Sequence, residues 1–183
     1  MQREPITYEI LRSLGRLTRE AGTLQVWCAF WKVNMEFYGL LRWDEVSNLR
    51  TQDIQATPEH MDVFIAKSKT GQLKQGTQVR ISRQQQEPHA CPVNITFMYI
   101  RMLQYPQGCN GYLQPRISSE GGVQKGIPHT KLCYSHALQE LKQMLDRLGL
   151  DGKQYGEHSG RRGGATAAAE AGAKWTDLKK HGR

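Results

Sequence analysis

The residues best placed to do chemistry stand in one short segment, His158-Ser159-Gly160-Arg161-Arg162. A histidine and two arginines there open a predicted helix, and the N-terminal end of a helix carries partial positive charge that repels cations. Basic side chains concentrated at this end are typical of an anion site, where arginine forks and free backbone N–H groups hold one phosphate together. The alternative is a solvated basic turn, because exposed arginines are common.

A further arginine, Arg42, lies between the apolar residues Leu41 and Trp43. A charged side chain in such surroundings needs a partner, and a carboxylate or a phosphate would satisfy it. Glu45 offers the carboxylate at position i+3, and in that case the pair would only stabilise a helix start weakly. The planar guanidinium could equally clamp two oxygens of a phosphate. The residues alone leave both interpretations open.

Three lysines, Lys67, Lys69 and Lys74, fall in the predicted turn between two strands. The turn is longer than a tight hairpin, so we expect an exposed tip. A lysine at such a tip is ordinarily a solvated charge, and by itself it indicates no function.

Taken together, these segments resemble the catalytic domain of the tyrosine recombinases and phage integrases. The family's His-x-x-Arg motif, followed by a helix of small residues and a glycine, matches residues 158–172. Its first motif, in which an arginine follows a glycine and precedes a glutamate, matches Gly39, Arg42 and Glu45 with one extra apolar residue. The resemblance is closest to recombinases of Crypton and DIRS-type transposons, whose Lys-x-His-Gly-Arg-Trp segment matches the chain at His181-Gly182-Arg183.

The resemblance implies DNA cleavage and rejoining through a 3′-phosphotyrosine intermediate. Four residues would form the catalytic site: Arg42, Lys69, His158 and Arg161. The two arginines would clamp the phosphate as negative charge builds on its oxygens. The histidine would assist the attacking tyrosine or orient the phosphate, and the lysine would protonate the departing 5′-hydroxyl. Lys67 and Lys74 stay open as alternatives for that acid.

Gly160 departs from the family pattern, because a bulky apolar residue usually stands between the histidine and the arginine of the motif. Glycine adds backbone freedom at this position. We therefore expect a looser turn before Arg161 than the family usually has.

Double-stranded DNA is the expected partner. The chain has 25 Lys and Arg against 17 Asp and Glu, a net charge of +8 and a pI of about 9.5, which favours a polyanion. We expect DNA contacts from five basic residues: Lys67, Lys74, Arg162, Lys179 and Lys180. The family also implies self-assembly on DNA in the full-length protein. It implies no cofactor, since the phosphotyrosine retains the energy of the broken bond.

The sequence pattern predicts that the elements positioning these residues form an α+β fold: a mainly helical domain with a small three-stranded antiparallel sheet. Apolar periodicity and end signals predict helices that start after Thr7 and over residues 24–38, 44–49, 92–103, 134–148, 158–171 and 175–180. Asp44 is the expected cap of the third of these. Alternating apolar residues predict strands at 53–54, 61–66 and 78–81. Residues 104–130, rich in Gly, Pro and Ser, are expected to be loop.

The cysteines do not predict a metal or disulfide framework. There are four, without CxxC spacing, and we interpret them as reduced thiols. His129, Cys133 and His136 could share a helix face, but a fourth ligand is not evident, so no metal is expected. The chain has no signal-peptide pattern, so we expect an intracellular protein, nuclear in a eukaryote and cytoplasmic in a bacterium.

We expect residues 1–183 to form one catalytic domain, without the family's N-terminal core-binding domain. The His or Trp that follows the Gly-Arg pair, and the nucleophilic tyrosine, are expected beyond Arg183, so the chain alone would be inactive. Tyr134 and Tyr155 precede the His-x-x-Arg motif and are interpreted as structural. A domesticated, catalytically inactive DNA-binding or protein-interaction module is the main alternative. A topoisomerase-like relative, with the same residues but no site-specific exchange, is a third.

Overall fold

The computed structural model describes residues 3–66 and 76–182, and it confirms the α+β class with more helix than strand. The helices are α1 (Tyr8–Ala21), α2 (Leu24–Tyr38), α3 (Trp43–Asn48), α4 (Pro92–Leu103), α5 (Tyr134–Arg147), α6 (Ser159–Glu170) and α7 (Trp175–Gly182). The strands are β1 (Ile54–Ala56), β2 (His60–Ile65), β3 (Thr77–Ser82), β4 (Pro115–Glu120) and β5 (Val123–Lys131). Short 3-10 turns occupy Thr51–Asp53 and Gly152–Gln154.

Helix α2 runs through the centre of the domain, as its dense apolar sequence predicts. Of its 15 residues, 13 are buried, and α1, α4, α5 and α6 all pack against it. Trp31 stacks on Tyr99 of α4 with ring centroids 5.4 Å apart, and its indole N–H donates to the Thr96 hydroxyl at 3.0 Å. Helix α3, which follows Arg42, and helix α6, which carries Arg161, are therefore both positioned by α2. In the described ranges, no helix combines the length and apolarity that a membrane crossing requires.

Local signals predicted the helix ends well. The Thr7 hydroxyl accepts the Ile10 N–H at 3.3 Å and caps α1, which confirms the expected start. Helices α5 and α6 end before Gly149 and Gly172, whose φ angles of 78° and 90° lie in the left-handed region that favours glycine. Both stop positions were predicted from the sequence.

The three-stranded sheet has the order β1-β2-β3 and is antiparallel throughout, as expected. Met61, Val63 and Ile65 of β2 point into the core and alternate with more exposed residues. Strand β3 pairs with β2 in a register that sets Ile65 opposite Thr77. The connection between them falls in residues 67–75, outside the described ranges.

The expectation of loop over residues 104–130 is wrong, because much of that segment forms a hairpin of β4 and β5. Its turn is Gly121-Gly122, with φ angles of 58° and 81°. Two consecutive residues at positive φ are what a two-residue hairpin turn of the right twist requires, and glycine supplies them without strain. The strands lack apolar alternation, since Ser118 and Ser119 are polar and lie at or near the surface, so only the Gly-Gly pair indicates the hairpin.

Helix α6 approaches α2 and the N-terminal segment at backbone distance. A β-carbon at Gly163 would overlap the carbonyl oxygen of Ile6, and one at Gly164 would overlap that of Phe37. The sequence predicted such an approach from the alanines of this helix. The glycines make it instead, because Ala169 and Ala171 are exposed.

We expect Gly163→Ala to lower the melting temperature by about 2 to 12 °C, because overpacking a close contact costs roughly 1–3 kcal/mol and a domain of this size loses about 2–4 °C per kcal/mol. Differential scanning calorimetry would measure it. Thr166→Ala, at an exposed position of the same helix, should leave the melting temperature unchanged or slightly raised. Equal melting temperatures for wild type and Gly163→Ala would contradict the packing of α6.

Candidate phosphate-binding site

The start of α6 is held firmly, in contrast to the loose turn expected from Gly160. The Ser159 carbonyl accepts the Ile6 N–H at 2.9 Å, and the buried Ser159 hydroxyl accepts the Gly156 N–H at 2.9 Å. His158 occupies the N-cap position, and its carbonyl accepts the Arg162 N–H at 2.9 Å. The backbone that carries the His-x-x-Arg motif is therefore tied to the N-terminal segment.

A cavity of about 290 Å³ opens beside this helix start. It is lined mainly by α5 and by the segment before α6: Arg3, Tyr134, Leu138, Lys142, Tyr155, Gly156, Glu157, His158 and Arg162. Four of these side chains are basic and one is acidic, so the cavity is predominantly basic. Arg162 also donates from Nη1 to the carbonyl oxygen of Arg3, which ties its guanidinium to the chain's first described residue.

Arg42 lies at the N-cap of α3, where it contacts the carboxylate that the sequence offered. The Arg42 N–H donates to Glu45 Oε2 at 2.8 Å, and Nη1 lies 3.5 Å from Glu45 Oε1. The Arg42 side chain is 23% exposed and that of Glu45 only 3%, so the carboxylate is buried beneath the guanidinium. Asp44, the expected cap, is instead in the first turn, because Glu45 reaches back to satisfy the Arg42 N–H.

The connection into Arg42 is strained. Gly39 ends α2 with an ordinary φ of −89°, and Leu40 takes a φ of 51°. A branched apolar residue in that region costs about 1–2 kcal/mol. Leu40 lies in the stretch that has one extra apolar residue relative to the family's first motif, and a β-carbon at Gly39 would lie 2.8 Å from the Met35 carbonyl oxygen. Glycine is therefore needed for packing at position 39, and the left-handed turn falls on its neighbour.

Between these two segments lies a buried ion pair that the sequence analysis missed. Lys32 Nζ is 2.7 Å from Glu36 Oε1, with side chains 0% and 1% exposed. Burial raises the pKa of Glu36, and the adjacent ammonium of Lys32 offsets part of the rise. The available signal was two opposite charges at i and i+4 inside an otherwise apolar core helix.

Tyr134 joins the Arg42 segment to the basic cavity. Its ring packs edge-on against Trp43 at a centroid distance of 5.7 Å, and it lines the same cavity as His158. Burial raises the pKa of Tyr134. Its interpretation as a structural residue stays a prediction. The structure thus brings His158 and Arg162 to one cavity and packs Trp43 against Tyr134 of its lining, while the meeting of Arg42 with Arg161 stays a prediction.

Two further basic candidates, Lys179 and Lys180, are not among the residues that line this cavity. Lys67, Lys69 and Lys74 fall outside the described residues. Lys179 and Lys180 are exposed on α7, where Lys179 Nζ lies 5.4 Å from the centroid of the exposed Trp175 ring.

The possible metal cluster does not form on one helix. His129 lies in β5, Cys133 is the N-cap of α5 and His136 is inside α5, so the expected common helix face does not exist. Within the described residues, no three or more His, Cys, Asp or Glu side chains are grouped so as to hold a metal ion.

Comparisons of sequence and of fold both find recombinases that are similar to this chain. No family model matches the chain. The sequence is 28% identical over 138 residues to an integrase/recombinase XerD homolog of Selenomonas ruminantium, which covers 75% of this chain and 38% of that protein. The fold is similar to that of the XerH site-specific recombinase bound to difH substrate in a pre-cleavage complex, with a TM-score of 0.65 at 12% identity over 98% of this chain and 47% of that one.

The XerH post-cleavage complex with palindromic difH substrate is equally similar, with a TM-score of 0.67 at 12% identity over 100% of this chain and 46% of that one. The chain therefore spans less than half the length of these relatives.

Replacing Glu45 with glutamine should lower the melting temperature by about 3 to 6 °C, because losing the charge of a buried partner to an arginine costs roughly 1–2 kcal/mol. The amide keeps the shape but cannot offer two oxygens to Arg42. Thermal unfolding followed by circular dichroism would measure the change. Glu20→Gln, at an exposed position of α1, is the control and should leave it unchanged. A Glu45→Gln protein with the wild-type melting temperature would contradict the Arg42–Glu45 contact.

Proposed function

We propose that this chain, which has the fold of a tyrosine recombinase catalytic domain, takes part in DNA strand cleavage and rejoining during site-specific recombination or transposon integration. The observation that carries the proposal is the extent of the fold similarity, which covers 98% and 100% of the chain in the two XerH complexes. Both of those structures show a recombinase bound to its DNA substrate, and we extend that activity to this chain. The closer kinship with transposon-encoded recombinases stays a prediction.

The proposed chemistry follows from the residue types. Attack on a phosphodiester gathers negative charge on the non-bridging oxygens, and the guanidiniums of Arg42 and Arg161 would hold those oxygens bidentately while staying charged at any working pH. The buried Glu45 carboxylate supports this role, because it orients the Arg42 fork from below. His158, exposed at the start of α6, would orient the phosphate or assist the nucleophile.

A tyrosine supplied beyond Arg183 would attack the phosphorus, and Lys69 would protonate the departing 5′-oxygen. The phosphodiester energy then stays in the phosphotyrosine bond, and a 5′-hydroxyl of a new strand reverses the step. Lys67 and Lys74 remain alternatives for the acid. The full-length protein would assemble on double-stranded DNA, where Arg162, Lys179 and Lys180 would contact phosphates together with the lysines of the β2–β3 connection.

The first test concerns binding. The 183-residue chain should bind duplex DNA weakly and with little sequence preference, because phosphate contacts dominate such affinity. With about four contacts, affinity should fall roughly 100-fold between 50 and 200 mM salt. Fluorescence anisotropy with a labelled duplex would measure it.

A double variant Lys179→Gln/Lys180→Gln should reduce the slope of log affinity against log salt by about 2. An affinity that does not change with salt concentration, or no binding at low salt, would count against the proposal.

The second test concerns covalent chemistry. A chain extended through the family's nucleophilic tyrosine should form a covalent adduct with a suicide DNA substrate, and the 183-residue chain should form none. In the extended protein, Arg161→Lys should slow adduct formation about 100-fold or more, because lysine keeps the charge but cannot present a fork to two oxygens. Denaturing gel electrophoresis would follow the adduct.

DNA affinity of Arg161→Lys should stay within about twofold of wild type, since the positive charge is retained. Arg147→Lys, at an exposed position of α5, is the matched control and should cleave normally. An extended protein that binds DNA but never links to it would support the domesticated binding module instead.

A further inference from the structure

The buried pair of Lys32 and Glu36 is unusual in its position. Both residues belong to the central helix α2, both are shielded from water, and their charged atoms are 2.7 Å apart. Removing two charges from water is costly, and apolar residues of similar volume often stabilise a core as well or better. A gain in stability therefore explains the pair poorly, and the contacts of its two ends offer another explanation.

The Glu36 end lies beneath the first turn of α6. A β-carbon placed on Gly160 would be 2.8 Å from Glu36 Oε2 and 3.0 Å from Glu36 Cβ. The carboxylate thus occupies the space that a side chain at position 160 would need. The glycine in the His-x-x-Arg motif, where the family usually has a bulky apolar residue, has its counterpart in this carboxylate.

The Lys32 end points to the other candidate segment. Its ammonium lies 5.7 Å from the centroid of the Trp43 ring, a distance at which a buried cation is attracted to the ring face. Trp43 is the first residue of α3 and directly follows Arg42. The pair therefore touches the residue next to Arg42 at one end and the residue next to Arg161 at the other.

We infer that Lys32 and Glu36 are positioning residues that set the Arg42 segment and the Arg161 segment relative to each other for binding one phosphate. This inference rests on the proposed function. The pair acts through Trp43 and Gly160 and does not touch the substrate. In this role the two charges, which are costly to separate in the low-dielectric core, would hold the two backbone segments in one arrangement where interchangeable apolar contacts would allow several.

The test replaces both charges with unbranched apolar side chains of similar length, as Lys32→Met/Glu36→Met. The melting temperature should stay within a few degrees of wild type, because an apolar pair tolerates burial. The side-chain Nε–Hε cross-peaks of Arg42 and Arg161 should shift in NMR spectra of the 183-residue chain, whereas the Arg147 peak should not. In the extended protein, adduct formation should slow about 100-fold, as expected for a misplacement near 1 Å.

Arg12→Met/Glu87→Met is the matched control, because it removes an ion pair of 3.0 Å between α1 and the loop before α4. It should leave both arginine peaks and adduct formation unchanged. If the Lys32/Glu36 double variant does not fold, Glu36→Gln provides the same readouts with an isosteric side chain.

A folded variant with wild-type arginine peaks and a wild-type rate of adduct formation would overturn the inference. Failure of the proposed function looks different, since then the wild-type extended protein itself forms no adduct. In that case shifted arginine peaks in the double variant would still support the positioning role, and unshifted peaks would refute it.

Discussion

The domain depends on one contact in which α6 lies against α2 and the N-terminal segment without any intervening side chain. The carbonyl oxygens of Phe37 and Ile6 take the space of the missing β-carbons at Gly164 and Gly163. A backbone-to-backbone contact allows little sliding, because each glycine fits against one peptide group. The start of α6, with His158 and Arg161, is thereby set against the last turn of α2, which leads through Gly39 and Leu40 to Arg42.

This arrangement places the segments that carry Arg42 and Arg161 on the same central helix, although they are far apart in the sequence. Helix α3 follows the end of α2 through the short strained link at Leu40. The glycine contact packs α6 against the side of α2. Tyr134 of α5 closes the region through its edge contact with Trp43. The strain at Leu40 persists because the packing at Gly39 leaves no room to move the turn by one residue.

Most of the fold could be predicted from the sequence, because helix periodicity, Thr7 as a cap and the stop glycines are local signals. Contacts between residues far apart in the sequence were harder to predict. The hairpin of β4 and β5 lacks apolar alternation, so only its Gly-Gly turn marked it. Asp44 was expected to cap α3 from its residue type, but Glu45 reaches the same N–H and also contacts Arg42.

For the candidate site, the sequence indicated residue types, but it did not indicate the residues that support them. Arg42, His158 and Arg161 stand out from the chain because a family motif and basic charge at a helix start both indicate them. The partner of Gly160 could not be found this way. The sequence does not show what a charged pair inside an apolar helix contacts, because that depends on which elements pack against the helix. Here Glu36 fills the space beside Gly160, so the segment is closely packed and not loose as expected.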